Sequence, residues 1–96
     1  MKPSEALISN KQAVLDIAAR YKTTNARVFG SVVRGSDVEG SDLDVLVDPL
    51  RGTTLFDLGG LQDELQELLG VPVEVLTPGD LPPHVLKVVL MEAQPV

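Results

Sequence analysis

The feature that most restricts the fold of this chain is a short strand-like run, Leu43 to Val47, that contains an acidic residue. Apolar side chains occupy alternate positions of the run, which is the pattern of one buried face of a β-strand. Asp44 lies inside the run, although Asp is depleted in strands, and Asp42 stands two positions earlier. Residues i and i+2 of a strand face the same side, so the sequence predicts two neighbouring carboxylates with Cα atoms about 6.5–7 Å apart.

Two neighbouring carboxylates repel each other, and one use for such a pair is to share divalent cations. Two-metal sites hold their ions roughly 3.5–4 Å apart, a span that paired carboxylates can bridge. Oxygen ligands of this kind suit Mg²⁺ or Mn²⁺. An Asp-x-Asp pattern by itself is more often a pair of solvated residues at a strand end. The position of Asp44 between two apolar residues favours the functional interpretation.

The flanking sequence predicts helices and strands in alternation. The expected elements are a helix from about Ser9, a strand over 26–29, a loop with one helical turn over 31–41, the central strand, a helix over 54–69, a strand over 71–76 and a helix over 83–92. This order predicts one α/β (α+β) domain over residues 1–96, with a small mixed β-sheet packed by helices. A single helix joins the central strand to the next one, which favours a right-handed crossover between parallel strands.

Two of the expected helices have unusual apolar patterns. The helix over 54–69 contains a stripe of leucines that we expect to be buried: Leu55, Leu58, Leu61, Leu65, Leu68 and Leu69. Gly59 and Gly60 interrupt it, which suggests a kink or a close backbone contact, such as one with the loop that carries Ser31. The helix over 83–92 is apolar on nearly all sides, and in so short a chain this favours an interface with a partner.

Charge and composition exclude several classes of protein. The net charge is −6, which argues against direct binding of duplex nucleic acid, because such binding depends on neutralising phosphates with basic residues. The sequence has no Cys, which excludes disulfides and thiolate metal sites and fits the reducing cytoplasm that we expect for this protein. No apolar run approaches the ~20 residues that span a bilayer, and residues 1–8 do not form a secretory signal.

A second candidate site follows the short strand over 26–29. Gly30 has no side chain, so a phosphate could approach its backbone, and Ser31 adds a hydroxyl donor. The N–H groups of a following helical turn would point at the anion. An ordinary turn at a strand end is the alternative. Gly30 and Gly35 match half of a P-loop, but Ser36 and Asp37 stand where that motif needs Lys and Ser or Thr.

These residues together resemble a known signature. Gly30 and Ser31, ten intervening residues, and then Asp42 and Asp44 are similar to the G-S-x10-D-x-D signature of the minimal nucleotidyltransferases. That family belongs to the DNA polymerase β-like nucleotidyltransferase superfamily. The resemblance continues through the leucine-rich helix, the strand over 73–75 and the closing residues 92–96, and so covers nearly the whole chain.

The resemblance implies a polymerase β palm-like fold and a role for each residue of the signature. Gly30 and Ser31 would hold the triphosphate of ATP, and Asp42 and Asp44 would bind Mg²⁺ or Mn²⁺. A third carboxylate from the next strand would complete the metal site and help to activate the acceptor hydroxyl, and Glu74 is the candidate. The family usually has Asp there, so the longer Glu puts the rate in question more than binding, and a solvated strand residue is the alternative.

Two basic residues near these positions leave their roles open. Arg34 is a candidate for stabilising the phosphates of the nucleotide, and it is equally compatible with a solvated loop residue. His84, beside Pro83 at a helix start, is more typical of a structural residue, and we assign it no role.

Minimal members of the family are often paired with a HEPN-domain toxin, a ribonuclease encoded next door. They transfer AMP from ATP to a tyrosine of the toxin. The resemblance therefore implies an antitoxin that is a protein adenylyltransferase, with a nucleoside triphosphate and a HEPN toxin as partners. One alternative is a catalytically weak or inactive antitoxin that neutralises its partner by binding. Another is an enzyme that modifies a small molecule such as an aminoglycoside, but such enzymes usually need an extra substrate domain.

Overall fold

The computed structural model describes all 96 residues. Five helices and four strands follow one another along the chain. They are α1 (Pro3–Ile8), α2 (Lys11–Arg20), β1 (Thr23–Phe29), α3 (Ser31–Arg34), β2 (Leu43–Pro49), α4 (Leu55–Leu69), β3 (Val73–Leu76), α5 (Pro83–Glu92) and β4 (Gln94–Pro95), with a 3₁₀ turn at Pro78–Asp80. None of the helices is both long enough and apolar enough to span a bilayer.

The four strands form one mixed sheet in the order β3-β2-β1-β4. β1 pairs with β2 and with β4 in antiparallel fashion, whereas β2 and β3 are parallel and are joined by α4. The predicted small mixed sheet packed by helices is therefore confirmed. The predicted parallel pair across the helical connection is confirmed as well.

The core is aliphatic and lies between the sheet and helices α2 and α4. One cluster of 15 buried residues draws on α1, α2 and α4 and on the inner face of the sheet. Leu43, Val45 and Val47 are completely buried, as their alternation in the sequence predicts. Burial of this face fixes the register of β2, because a shift by one residue would turn every side chain to the other side.

The sequence did not predict α1 or β4. Pro3 starts α1 at the first helical position, and the next N–H group, that of Ser4, donates to the Asp37 carboxylate at 2.9 Å. The helix predicted from about Ser9 is α2, which begins at Lys11, whereas Ser9 ends α1 and its hydroxyl donates back to Glu5 O at 3.4 Å. β4 has only two residues, and its Pro95 sits on an edge strand, where the missing N–H is tolerated.

Helix α4 begins and ends as the sequence predicts. Thr54 and Asp57 cap each other, with Asp57 N–H donating to Thr54 Oγ1 at 3.2 Å and Thr54 N–H to Asp57 Oδ2 at 2.9 Å. Gly70 ends the helix in the left-handed conformation, at φ 67°. The predicted burial of Leu55 is wrong, since this side chain is 84% exposed in the first turn. The leucines that are buried are Leu61, Leu65 and Leu69.

The helix is unbroken through Gly59 and Gly60, and the kink expected there stays a prediction. The alternative, a close contact, is confirmed for Gly60, although its neighbour is the ring of Tyr21 and not the loop of Ser31. A Cβ added to Gly60 would lie 2.6 Å from Tyr21 Cε1. The tyrosine hydroxyl donates to Glu64 Oε1 at 3.0 Å, one turn further along α4, so glycine allows α2 and α4 to approach each other closely.

Candidate active site

The central pair of the candidate site is Asp44 and Glu74. Asp44 on β2 is the register partner of Glu74 on the parallel strand β3, and Phe29 is its partner on β1. Register partners on neighbouring strands point to the same face of a sheet, so the two carboxylates lie on one side of β2 and β3. Leu43 N–H donates to Pro72 O at 2.8 Å, which ties the start of β2 to the approach of β3.

Asp42 lies just before β2, at the exposed edge of the same site. The turn that leads to it is closed by two hydrogen bonds. Val38 N–H donates to Ser41 Oγ at 2.9 Å, and Ser41 N–H donates to Val38 O at 3.0 Å. Asp42 therefore directly follows a hydrogen-bonded turn, and its side chain is exposed to solvent.

The electrostatics of the site centre on Asp44. Partial burial raises the pKa of its carboxyl, and the carboxylates of Glu74 and Asp42 raise it further, while Arg34 opposes them. The pKa of Asp48, on the same strand, is shifted in the opposite direction. Hydrogen bonds from Asn25 and Arg27 lower the pKa of Asp48. Asp44 thus lies among other carboxylates, and a bound cation would reduce the repulsion between them.

Gly30 lies directly beside Asp44. Its backbone has φ 78° and ψ −148°, a region that is essentially restricted to glycine. A Cβ at this position would collide with Asp44 Oδ2. Glycine is therefore required both for the turn out of β1 and for the approach of the carboxylate. Ser31, half-buried, is the first residue of the short helix α3, as the predicted helical turn requires.

Sequence reasoning missed one residue of the site, Glu92 at the end of α5. Its Oε1 accepts a hydrogen bond from Gly30 N–H at 2.9 Å, and both of its oxygens lie 3.2 Å from Arg34 Nη1. The closing residues 92–96 belong to the resemblance, but nothing in the sequence indicates that residue 92 contacts residues 30 and 34. Arg34, at the end of α3, is paired with this carboxylate, and its side chain is 58% exposed.

A groove beside Gly30, Asp44 and Glu92 lies between α5 and the ends of β1 and β2. Its volume is about 420 Å³. Its lining combines charged and polar side chains with apolar side chains of α5. The lining residues are Phe29, Gly30, Arg34, Asp44, His84, Val85, Val88, Val89 and Glu92.

The donor set of the site fits a hard divalent cation, because carboxylate oxygens are the ligands that Mg²⁺ and Mn²⁺ prefer. Asp42, Asp44 and Glu74 are the residues that would hold it. After partial burial, the charges of Glu74 and Asp42 are the main causes that raise the pKa of Asp44. The protein contains no cluster of three or more His, Cys, Asp or Glu side chains already gathered at coordination distance.

The sequence matches the family model of the nucleotidyltransferase domain over residues 11–96. A candidate protein adenylyltransferase of Methanocaldococcus jannaschii is 37% identical over 83 residues, which make up 86% of this chain and 89% of that protein. The protein adenylyltransferase MntA of Thermococcus cleftensis is 35% identical over 77 residues, or 80% of this chain and 78% of that protein.

Two solved structures have the same fold. A candidate minimal nucleotidyltransferase superposes with a TM-score of 0.88 at 43% identity, covering 97% of this chain and 95% of that one. A toxin–antitoxin crystal structure with AMP-PNP superposes with a TM-score of 0.77 at 17% identity, covering 90% of this chain and 71% of that one, and this likeness concerns the fold alone.

The family model spans the part of the chain that contains Gly30, Asp42, Asp44 and Glu74. The fold is that of a minimal nucleotidyltransferase structure over almost its whole length. The chain therefore belongs to the nucleotidyltransferase domain family.

Proposed function

We propose that this nucleotidyltransferase transfers AMP from ATP to a hydroxyl group, that of a tyrosine, on a partner HEPN toxin, and thereby acts as an antitoxin. The observation that carries the proposal is the pairing of Asp44 with Glu74 beside the glycine turn at Gly30. The names of the two relatives at 37% and 35% identity, both protein adenylyltransferases, support the choice of reaction.

In the proposed reaction the acceptor oxygen attacks the α-phosphorus of ATP. A new P–O bond forms to that oxygen, the bond between the α-phosphorus and the bridging oxygen breaks, and pyrophosphate leaves with the electron pair. Divalent metal ions, when bound, stabilise the charge on the attacking and leaving oxygens. Glu74 takes up the hydroxyl proton, and Asp42 and Asp44 are the remaining metal ligands. Gly30 and Ser31 hold the triphosphate, with Arg34 close to it.

The exposed apolar surface of the chain supports a protein partner. On α5 only Val89 is buried, whereas Val88, Leu90 and Met91 are 61%, 51% and 80% exposed. Leu55 and Phe56, in the first turn of α4, are 84% and 92% exposed. Apolar side chains that are exposed together on one helix, as on α5, are typical of a docking surface. A structure with the same fold is that of a toxin–antitoxin pair with AMP-PNP, and this supports a toxin as the partner.

A second candidate function is neutralisation of the partner by binding alone. Two observations favour it. Glu74 stands where the family resemblance leads us to expect Asp, and it is exposed. The apolar surface on α5 would serve a binding antitoxin equally well.

The test of the proposal is incubation with α-labelled ATP, Mg²⁺ and the protein encoded next door. The Asp42→Asn/Asp44→Asn double variant is compared with Asp63→Asn, which removes a charge from an exposed position on α4. We expect label on a partner tyrosine with wild type and Asp63→Asn, and none with the double variant. Neutralisation of the partner by the double variant, without any label transfer by wild type, would instead establish the binding antitoxin.

A further inference from the structure

Glu92 binds two of the groups at the proposed phosphate site that can donate to an anion. Gly30 N–H donates to Glu92 Oε1 at 2.9 Å, and Arg34 Nη1 lies 3.2 Å from each carboxylate oxygen. These contacts join residues 62 and 58 positions apart in the sequence, so they depend on the way α5 returns to the site. The Glu92 side chain is 24% exposed, and that of Arg34 is 58% exposed.

A carboxylate and a phosphate oxygen compete for donors of this kind. Both are anionic acceptors that form short, charge-assisted hydrogen bonds with guanidinium and backbone N–H groups. Gly30 has a single N–H, so it cannot make a good hydrogen bond to Glu92 and to a phosphate at the same time. Two anions in contact at one site also repel each other, and Asp44 lies next to the same glycine.

The helix that carries Glu92 is only lightly attached to the rest of the molecule. Its one buried residue, Val89, packs into a small cluster with Phe29 and Leu46. The main core cluster, of 15 residues, does not include α5. An element with few buried apolar contacts opens at low free energy, but β4 follows Glu92 closely and pairs with β1, so the backbone at residue 92 is held there. The Glu92 carboxylate can leave Gly30 by rotation of its side chain, without unfolding of the core.

We infer that the Glu92 carboxylate is a built-in occupant of the phosphate subsite, which a triphosphate must displace before it can bind there. The inference rests on the proposed function, since Gly30 and Arg34 are its phosphate-binding residues. The affinity for a triphosphate is then reduced by the fraction of molecules in which Glu92 holds the site. Glu92 would act in the opposite way if it were a positioning residue, because its removal would weaken binding.

The first experiment measures binding of inorganic tripolyphosphate by calorimetry, with metal ions removed by a chelator. Glu92→Gln keeps the size of the side chain and removes its charge. Glu67→Gln makes the same change in net charge at an exposed position of α4. We expect Glu92→Gln to bind about 3- to 10-fold more tightly than both wild type and Glu67→Gln, and Arg34→Gln added to Glu92→Gln to cancel this gain.

The inference is overturned if Glu92→Gln binds no more tightly than Glu67→Gln, or if no variant binds tripolyphosphate. A second readout needs no substitution. The amide resonance of Gly30 in the wild-type protein should shift when tripolyphosphate replaces the carboxylate as its acceptor, and an unchanged resonance at saturation would also overturn the inference. This readout remains decisive if Glu92→Gln does not fold.

The same preparations separate this inference from the proposed function. They are assayed for transfer of labelled AMP to the partner protein. Tighter tripolyphosphate binding by Glu92→Gln without transfer by any variant would refute the proposed function and leave the inference standing. Transfer by wild type, together with unaltered tripolyphosphate binding by Glu92→Gln, would refute the inference alone.

Discussion

Asp44 and Glu74 are direct register partners on the parallel strands β2 and β3, so their side chains leave the sheet side by side. This pairing places Glu74, the candidate third carboxylate, directly beside Asp44, although 29 residues separate the two in the sequence. The family resemblance leads us to expect Asp at this position, and Glu is one methylene longer. The Glu74 side chain therefore has to fold back to place its carboxylate at the same point. The position of the Glu74 backbone already suits the site.

Replacing Glu74 tests this interpretation. We expect Glu74→Gln to reduce the rate of AMP transfer by roughly 10²-fold or more, because it removes the proposed metal ligand and proton acceptor. Glu74→Asp keeps the charge and is expected to retain activity well above that of Glu74→Gln. Single-turnover transfer to the partner gives both rates. Equal rates for wild type and Glu74→Gln would remove Glu74 from the site.

Gly30 and Gly35 form a matched pair of glycines at the two ends of α3. We expect Gly30→Ala to destabilise the fold by about 2 kcal/mol or more, because its backbone conformation is a glycine-only one and its Cβ collides with Asp44 Oδ2. Gly35 is in the left-handed helical region, and an added Cβ meets nothing within 4 Å, so Gly35→Ala should cost only about 1 kcal/mol.

Urea unfolding of both variants gives this comparison. Transfer activity should fall much further for Gly30→Ala than for Gly35→Ala, since only the first change displaces Asp44. Equal losses of stability and activity in the two variants would show that the contact between Gly30 and Asp44 has no special importance.

Gly59 and Gly60 form a second matched pair, within α4. Gly59→Ala adds a Cβ that meets nothing within 4 Å, so we expect it to stabilise the protein by up to ~1 kcal/mol through helix propensity. Gly60→Ala places a Cβ 2.6 Å from the Tyr21 ring, so it should destabilise the protein in spite of the same propensity gain. Thermal unfolding of the two variants, side by side, measures the difference. A stabilising Gly60→Ala would show that the ring of Tyr21 moves away freely.

Asp37 makes stability depend on pH. The Ser4 N–H lowers the pKa of the Asp37 carboxyl below its ordinary value of 3.8, so the folded state binds fewer protons there than the unfolded state. Its contribution to stability is complete above that ordinary value and is lost as the pH falls through the lowered pKa. Loss of the cap in Asp37→Ala should cost about 1 kcal/mol at neutral pH.

Unfolding by urea at a series of pH values provides the measurement. The difference in unfolding free energy between wild type and Asp37→Ala should shrink as the pH falls below 3.8. A difference that stays constant over that range would show that the ionised carboxylate does not stabilise α1.

The parts of the molecule that could be predicted from the sequence are those set by local patterns. The alternation around Asp44 and the bounds of the helix over 54–69 depend on residues close together in the sequence, and both predictions are confirmed. Thr54 and Asp57 cap the start of that helix, and Gly70 ends it. The shared face of Asp44 and Glu74 follows from the parallel pairing that the helical connection predicts.

The features that could not be predicted depend on contacts between distant residues. Helix α1 is capped by Asp37, 33 residues away from Ser4, and β4 exists only because it pairs with Arg27 and Val28. The leucine pattern of α4 gives the correct face but does not show where burial begins, so Leu55 was placed in the core. Glu92 was missed for the same reason, since its site partners lie 58 and 62 residues away.

The central claim is that Asp42 and Asp44 hold a nucleoside triphosphate through divalent metal ions. The most direct measurement is calorimetric titration of the protein with AMP-PNP, first in Mg²⁺ and then in a chelator, for wild type and for the Asp42→Asn/Asp44→Asn double variant. We expect binding by wild type in Mg²⁺, at least about tenfold weaker binding in the chelator, and no enhancement by Mg²⁺ in the double variant. Equal enhancement by Mg²⁺ in the two proteins, or equal binding by wild type with and without Mg²⁺, would contradict the claim.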